Sequence, residues 1–143
     1  MALTIGPRLE GFFAEKLAAI LTTINDKGSP EMTPVWYEYD QGLIWLNGDK
    51  TRVWLDRMEK TGKVTFFVMD PVNLWRWVQV YGKVVEAAED PGGDHINRLA
   101  HRYRGSDYSG NRATRRLLKV EITSVKGADG SPQTKWDVGE QAS

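Results

Sequence analysis

The 143-residue sequence contains no cysteine. Disulfides, thiolate metal sites and a thiol nucleophile are therefore excluded, and the usage is compatible with a reducing compartment. An excess of either charge is also missing. Lysine plus arginine and aspartate plus glutamate number 19 each, for a formal net charge of zero. No overall field draws the molecule to nucleic acid or an acidic membrane, so any basic site must be local. Apolar runs are short, far below the roughly 18 residues of a membrane span. The opening MALTIGPRLEGFF lacks the apolar core and cleavage site of a secretion signal. The expectation is a soluble, cytoplasmic chain with one domain over 1–143, because single cores organise about 100–200 residues. The two histidines, His95 and His101, have no converging acidic ligands. No metal site is expected, and both are read as surface groups on a late helix. Loops of the GxGxxG and GxxxxGK[ST] types are absent, which disfavours a dinucleotide fold and a P-loop.

Aromatic residues, by contrast, are plentiful. Six Trp and five Tyr exceed what a small interior readily hides, so part of the set is expected to line a pocket or a subunit interface. Local patterns then order the chain. Pro7 followed by Leu9, Phe12, Phe13 and Leu17 predicts a short amphipathic helix over 7–16. LAAILTTIN, PEMTPVWYEYD and LIWLNG read as three strands of one meander, separated by turns at Asn25–Gly28 and Asp40–Gly42. A helix over 50–61, with Asp49 as its cap, is followed by the strand KVTFFVMD. LWRWVQVYGKVVEAAE is a long strand in which Gly82 marks a bend or bulge. Ile96, Leu99, Ala100 and Tyr103 give residues 93–104 one apolar helical stripe. RRLLKVEITSVKG is a last strand, and the polar tail 127–143 is expected to be poorly ordered apart from Trp136. Hairpin connections with three short helices favour a mainly β (α+β) closed or split barrel, its core over about 7–126.

Three groups of residues carry candidate chemistry. Asn47, Gly48, Asp49, Lys50, Thr51 and Arg52 form a polar loop entering a helix. Exposed amides, the helix dipole and two cations suit an anion such as phosphate, with Arg57 one turn further on; a solvated helix start is the competing reading. Pro34 cannot donate to a ladder, so its strand must be an edge or bulged there, freeing backbone groups of Thr33 and Val35 for the polar rim of a flat ring. Trp75, Trp77 and Gln79 alternate onto one face of their strand, with Arg76 on the other. They suit stacking on a conjugated ligand, or ordinary barrel packing.

The run AILTTINDKGSPEMTPVWYEYDQGLIWLNGDKTR, then GKVTFFVMD, WRWVQVYGKV and the helix ending HRYRG, resembles the pyridoxamine 5'-phosphate oxidase-like split β-barrel flavoproteins. Within them it is most similar to the branch that uses the deazaflavin coenzyme F420. The resemblance spans about 16–126. It implies an FMN-binding-like split barrel, a homodimer holding each cofactor between two subunits, and coenzyme F420 as cofactor, with FMN as the alternative. By the same resemblance Thr33, Pro34, Val35 and Trp36 border the cofactor ring, with dimer packing the other role open to Trp36. Asn47, Gly48, Lys50, Thr51 and Arg52 hold its phosphate, and Trp77 is a further cofactor contact. Trp54, Trp75 and Gln79 are assigned to the substrate pocket. The family's Gly-Arg-x-Lys-x-x-Asn pattern is only partly kept: Trp54 stands at its lysine and Arg57 at its asparagine, so phosphate contacts are rearranged. The implied activity is a reductase passing a hydride to a conjugated small molecule such as a tetrapyrrole (biliverdin among them), quinone or enone. An FMN oxidase or flavin reductase, and a non-enzymatic flavin, haem or lipid-binding module, are the alternatives.

Overall fold

The computed structural model describes residues 3–140. In chain order the elements are β1 (Leu3–Ile5), α1 (Pro7–Ala14), β2 (Ala19–Ile24), β3 (Pro30–Val35), β4 (Tyr37–Asp40), β5 (Leu43–Asp49), α2 (Val53–Thr61), β6 (Lys63–Met69), β7 (Arg76–Glu89), a 3-10 turn at Pro91–Gly93, α3 (Asp94–Arg104), β8 (Arg115–Asp129) and β9 (Val138–Glu140). Seven strands form one antiparallel sheet in the order β3-β2-β6-β7-β8-β5-β4, and β1 pairs with β9 in a separate ribbon. The mainly β class with three short helices is the one the sequence implied.

The predicted single strand over 30–40 is two strands, divided at Trp36. β3 and β4 lie at opposite edges of the sheet. Six strand spacings would separate the edges by about 29 Å in a flat sheet, whereas Val35 and Tyr37, two residues apart, can be no more than about 7 Å apart. The sheet must therefore curl until its edges meet, and the result is a barrel split at this seam. Alternation hides the break, because Val35 and Tyr37 are both buried and the inward-facing period continues through a change of partner.

Curling needs close approach somewhere along the long strands. Between β7 and β8 the register shifts at Tyr81/Gly82 and again at Val84/Glu86, the bend expected at Gly82. A side chain there would run into Val120, so glycine lets the two strands cross tightly. Inside lie Leu21, Ile44, Leu46, Val64, Phe66, Val78, Val80, Leu118 and Val120. α1 closes the core with Leu9, Phe12 and Phe13, all fully buried.

Two features overturn sequence expectations. The tail from 127 to 140 is ordered into the fold; residues 141–143 lie outside the described residues. Asp137 accepts hydrogen bonds from the Arg8 and Leu9 amides at 2.9 Å each, and so caps α1, whose own N-cap position, Gly6, has no side chain. Burial raises the Asp137 pKa, but these amides outweigh it and hold the carboxyl below its usual range. Trp136 stacks on Phe12 at 5.0 Å and donates to the Trp77 carbonyl at 2.8 Å. The second correction concerns α2, which begins at Val53 with Arg52 as its N-cap and no side-chain cap. Asp49 instead accepts from the Thr51 amide and hydroxyl and from the Thr114 hydroxyl.

At the seam the C-terminal end of α3 fastens the crossing. Arg102 donates to the carbonyls of Phe13, Ala14, Glu15 and Tyr37 at 2.9–3.1 Å, satisfying the terminal carbonyls of α1 with a cation. The Tyr103 hydroxyl donates to the Leu17 carbonyl at 2.6 Å. Tyr37, by contrast, has a buried hydroxyl with no hydrogen-bond partner among the described residues, and burial pushes its pKa up. A folded state that keeps this proton when the unfolded chain loses it near pH 10 is destabilised as pH rises above that point. Tyr37→Phe is therefore expected to leave stability at pH 7 unchanged or raised by about 1 kcal/mol, and to flatten the loss above pH 10. Urea denaturation across pH 7–11 measures both; a loss of more than about 2 kcal/mol at pH 7 would show the hydroxyl to be satisfied.

Candidate functional site

A cleft of about 740 Å³ opens at the seam, within the usual size of small-molecule sites of roughly 300–1,000 Å³. Its floor is the outer edge of β3, which among the described residues pairs only with β2. Glu31, Thr33, Pro34 and Val35 line it, and Trp36 at the break forms one end. Pro34 sits on this edge strand, where its missing donor costs no ladder bond. A second wall is the end of β5 with Asn47, Gly48 and Asp49, followed by Arg52, Val53, Trp54 and Arg57 at the start of α2. Ile96, Leu99 and Arg104 of α3, with Tyr108 and Arg115, complete the lining.

Gly48 sets the position of α2. A Cβ at this residue would lie 2.7 Å from the Trp54 ring and 2.8 Å from a Leu55 methyl, so the indole lies directly on the backbone of β5. α2 starts without a side-chain cap, and Arg52, Val53 and Trp54 at this end line the cleft. Such an end is an anion site in physical terms. Arg57, in the same lining, pairs with Glu31 and contacts the Thr23 hydroxyl at 3.5 Å. Its hydrogen bond and that of Asn25 hold the Glu31 carboxyl below its usual range.

Behind the β5 wall is a buried polar cluster. Asn47 is 6% exposed and His95 5%. The Asn47 amide nitrogen reaches Asp90 Oδ2 and His95 Nδ1, both at 3.0 Å, and its oxygen accepts from Arg115 Nε at 2.8 Å. Asp90 also accepts from the amides of His95 and Ile96 at 2.8 and 3.0 Å, capping α3. His95 Nε2 lies 2.9 Å from Glu38. Burial raises the Glu38 pKa, but His95 and Arg98 outweigh it and hold the carboxyl low. The reading of His95 as a surface group is thus wrong: it joins β4, β5 and α3. His101, exposed and bonded to Asp107 at 2.7 Å, is the surface group expected.

Of the residues singled out in the sequence, Thr33, Pro34, Val35, Trp36, Asn47, Gly48, Arg52, Trp54 and Arg57 line the cleft. Lys50 and Thr51 are exposed on the turn beside it and do not. Trp75, Trp77 and Gln79 are not brought to it within one chain. Trp77 stacks on Phe67 at 5.7 Å and Gln79 donates to the Tyr81 hydroxyl at 2.7 Å, while Trp75 is exposed. Sequence reasoning missed Arg104, Tyr108 and Arg115. Arg104 lies over the Trp36 ring at 5.0 Å, which in turn stacks on Tyr103 at 5.2 Å and 6°. Arg104 ends α3, Tyr108 lies in the segment after it and Arg115 opens β8; only the closed sheet brings them to the cleft that β3 lines.

Four arginines against two carboxylates make the cleft basic in a chain of zero net charge. Its lining includes no histidine, lysine or cysteine. Both carboxylates are held below their usual range, Asp49 by the Thr114 and Thr51 hydrogen bonds in the first place, and are ionised at neutral pH. No group of three or more metal-ligating side chains occurs among the described residues. Two indoles, a backbone edge and anion donors line one surface, a combination whose shape and charge suit a flat, anionic ligand.

A barrel split at one residue, with a basic and aromatic cleft at the split, is of the flavin-binding split-barrel class. Residues 5–129 match the family model for pyridoxamine 5'-phosphate oxidase, and the chain belongs to that family. Among solved structures it is similar to an F420 reductase, at 24% identity and a TM-score of 0.76, covering 82% of this chain and 94% of that one. A conserved hypothetical protein of Mycobacterium tuberculosis aligns at 19% identity and a TM-score of 0.68, over 95% and 87% of the two chains. A FAD- and haem-binding protein of Mycobacterium smegmatis aligns at 16% and 0.64, over 93% and 76%. No curated protein matches the sequence.

Since Trp54 rests on the bare backbone of Gly48, Gly48→Ala is expected to push the indole and Leu55 outward. The loss of stability should be about 1–3 kcal/mol, with a changed Trp fluorescence spectrum. Unchanged emission and stability would mean that α2 does not seat on β5 as described.

Proposed function

We propose that this protein is an oxidoreductase that uses coenzyme F420 to reduce a conjugated small molecule, with tetrapyrroles, quinones and enones as the candidate acceptors. The observation that carries the reading is the uncapped start of α2 with Arg52, open to a cleft walled by Trp36 and Trp54. In it, Arg52 and the α2 amides hold the phosphate, and the β3 edge around Pro34 takes the polar rim of the ring. Trp36 and Trp54 wall the faces. Bound there, a deazaflavin supplies the hydride, a two-electron donor that asks few acid–base side chains of the protein. The ionised carboxylates and the absence of histidine from the lining accord with that division of labour. The structural likeness to an F420 reductase favours the deazaflavin over FMN.

The functional unit on this reading is a homodimer. Met32, Ile24, Met69, Tyr81 and Trp75 are exposed, Met32 by 71%. By cross-strand register Met32, Thr22, Thr65 and Tyr81 share the outer face of β3-β2-β6-β7. Apolar groups gathered on one sheet face call for cover, and a second copy would bring Trp75, Trp77 and Gln79 toward a neighbouring cleft. Light scattering is expected to give twice the 16.2 kDa chain mass; a monomer at micromolar concentration would remove the shared-site arrangement.

Titration with coenzyme F420 and with FMN, followed by Trp fluorescence, tests the cofactor. Tighter binding of the deazaflavin is expected, weakening as salt rises. Arg52→Ala should lose roughly tenfold to a hundredfold in affinity, as expected for a charge-assisted hydrogen bond of about 1.5–3 kcal/mol. Equal affinity in the variant would remove the phosphate role, and binding of FMN alone would favour an FMN enzyme of the same family.

A further inference from the structure

Arg115 is a cleft cation that the phosphate reading leaves unused. It opens β8, opposite Asp49 of β5. Its guanidinium is half-buried and held on two sides by neutral groups. Nε donates to Asn47 Oδ1 at 2.8 Å, and Nη1 lies 3.4 Å from the Tyr108 hydroxyl, with Cζ 5.3 Å over the Tyr108 ring. No carboxylate forms an ion pair with it among the described residues. Asp49 lines the same cleft and its charge is felt by Arg115, but its oxygens accept from Thr51 and Thr114 and it makes no ion-pair contact with the guanidinium. Of five guanidinium N–H groups, three stay without a partner among the described residues, two on Nη2 and one on Nη1.

A partly desolvated charge is costly unless something offsets it. Here the orientation is fixed at considerable structural expense. Asn47 is nine-tenths buried and cannot turn, because both its amide hydrogens are committed to Asp90 and His95. His95 is in turn fixed by Glu38. The site is also separate from the start of α2. Asn47 and Asp49 share one face of β5 by alternation, while Trp54 and Leu55 press on Gly48 from the other. The cleft therefore wraps round the end of β5, with Arg52 on one side and Arg115 on the other.

We propose that Arg115 forms a second oxyanion site of the cleft, taking a phosphate or carboxylate end-on through Nη1 and Nη2, with Asn47 as its positioning residue. The ligand set is then doubly anionic. The oxyanion is either a further acidic group of the cofactor or a carboxylate on the acceptor; this last assignment alone rests on the redox reading.

Sulfate probes the site without a cofactor, since it has no protonation step near neutral pH. Titrated into the full chain and followed by Trp fluorescence, it should bind Arg115→Ala roughly tenfold or more weakly than wild type, with unchanged circular dichroism. Affinity equal in the two proteins, or no sulfate binding by wild type, overturns the site. In an Arg115→Ala background Asn47→Ala should cost sulfate affinity nothing further, although alone it weakens binding; additive losses overturn the positioning role. If Asn47→Ala does not fold, Asn47→Ser in the same cycle carries that test. Coenzyme F420 and FMN then distinguish the sources. Weaker coenzyme binding by Arg115→Ala assigns the oxyanion to the cofactor. Unchanged coenzyme binding, with a KM raised for a carboxylate-bearing quinone but not for its methyl ester, assigns it to the acceptor. Arg115-dependent sulfate binding by a protein that takes up neither coenzyme would leave this site standing and remove the redox reading.

Discussion

One covalent constraint governs the molecule: a single residue, Trp36, joins strands at opposite edges of a seven-stranded sheet. Chain connectivity forces those edges together, and the local twist of strands with the bulges around Gly82 makes the curl possible. Among the described residues the edges nevertheless do not zip into a continuous ladder, because β3 bonds only to β2 and β4 only to β5. What holds the crossing is the end of α3. Arg102 gathers the Tyr37 carbonyl together with three carbonyls at the end of α1, and Tyr103 ties Leu17 to the same point.

The open ladder edge is also what makes a cleft. A barrel closed by hydrogen bonds has no free edge to offer a ligand, whereas this one leaves β3 exposed along its length and sets α2 and α3 on either side. α3 works at both of its ends. Its start, through Asp90 and His95, locks Asn47 and thereby Arg115; its end clamps the crossing and sends Arg104 over Trp36. The geometry of the cleft and the closure of the barrel consequently depend on the same helix, and a polar network deep in the fold is continuous with a cation at the surface.

Much of the architecture was legible because it is periodic. Strand alternation, the α3 stripe of Ile96, Leu99 and Ala100, and the lone glycine in β7 each report a local geometry, and each is found in the fold. Of the polar loop read as an anion site, Asn47, Gly48 and Arg52 reach the cleft. The failures share a different cause. His95 looks like a helix-surface residue until Glu38 and Asn47, distant in sequence, meet it in space. Residues 127–140 look like a solvated tail because the acid that caps α1 and the indole that stacks on Phe12 have no periodic pattern. Lys50 and Thr51 have suitable chemistry on the wrong side of a turn. For His95 and the tail the decisive partner comes from an element distant in sequence, brought close only by the closed fold.

The departure from the family's Gly-Arg-x-Lys-x-x-Asn pattern has a physical consequence in the structure. The position of the lysine is occupied by Trp54, which is seated on Gly48, and the arginine at the asparagine position is neutralised by Glu31. Neither can offer a free positive charge to an anion, so the basicity of the cleft shifts to Arg52, Arg104 and Arg115, none of which has a carboxylate partner among the described residues. Two of these three stand against aromatic faces, Arg104 on Trp36 and Arg115 on Tyr108, where a planar guanidinium keeps its orientation with part of its hydration removed. A cleft so arranged distributes charge along its length and pairs it with flat surfaces. That favours an extended, aromatic ligand with separated acidic groups over a compact phosphate ester.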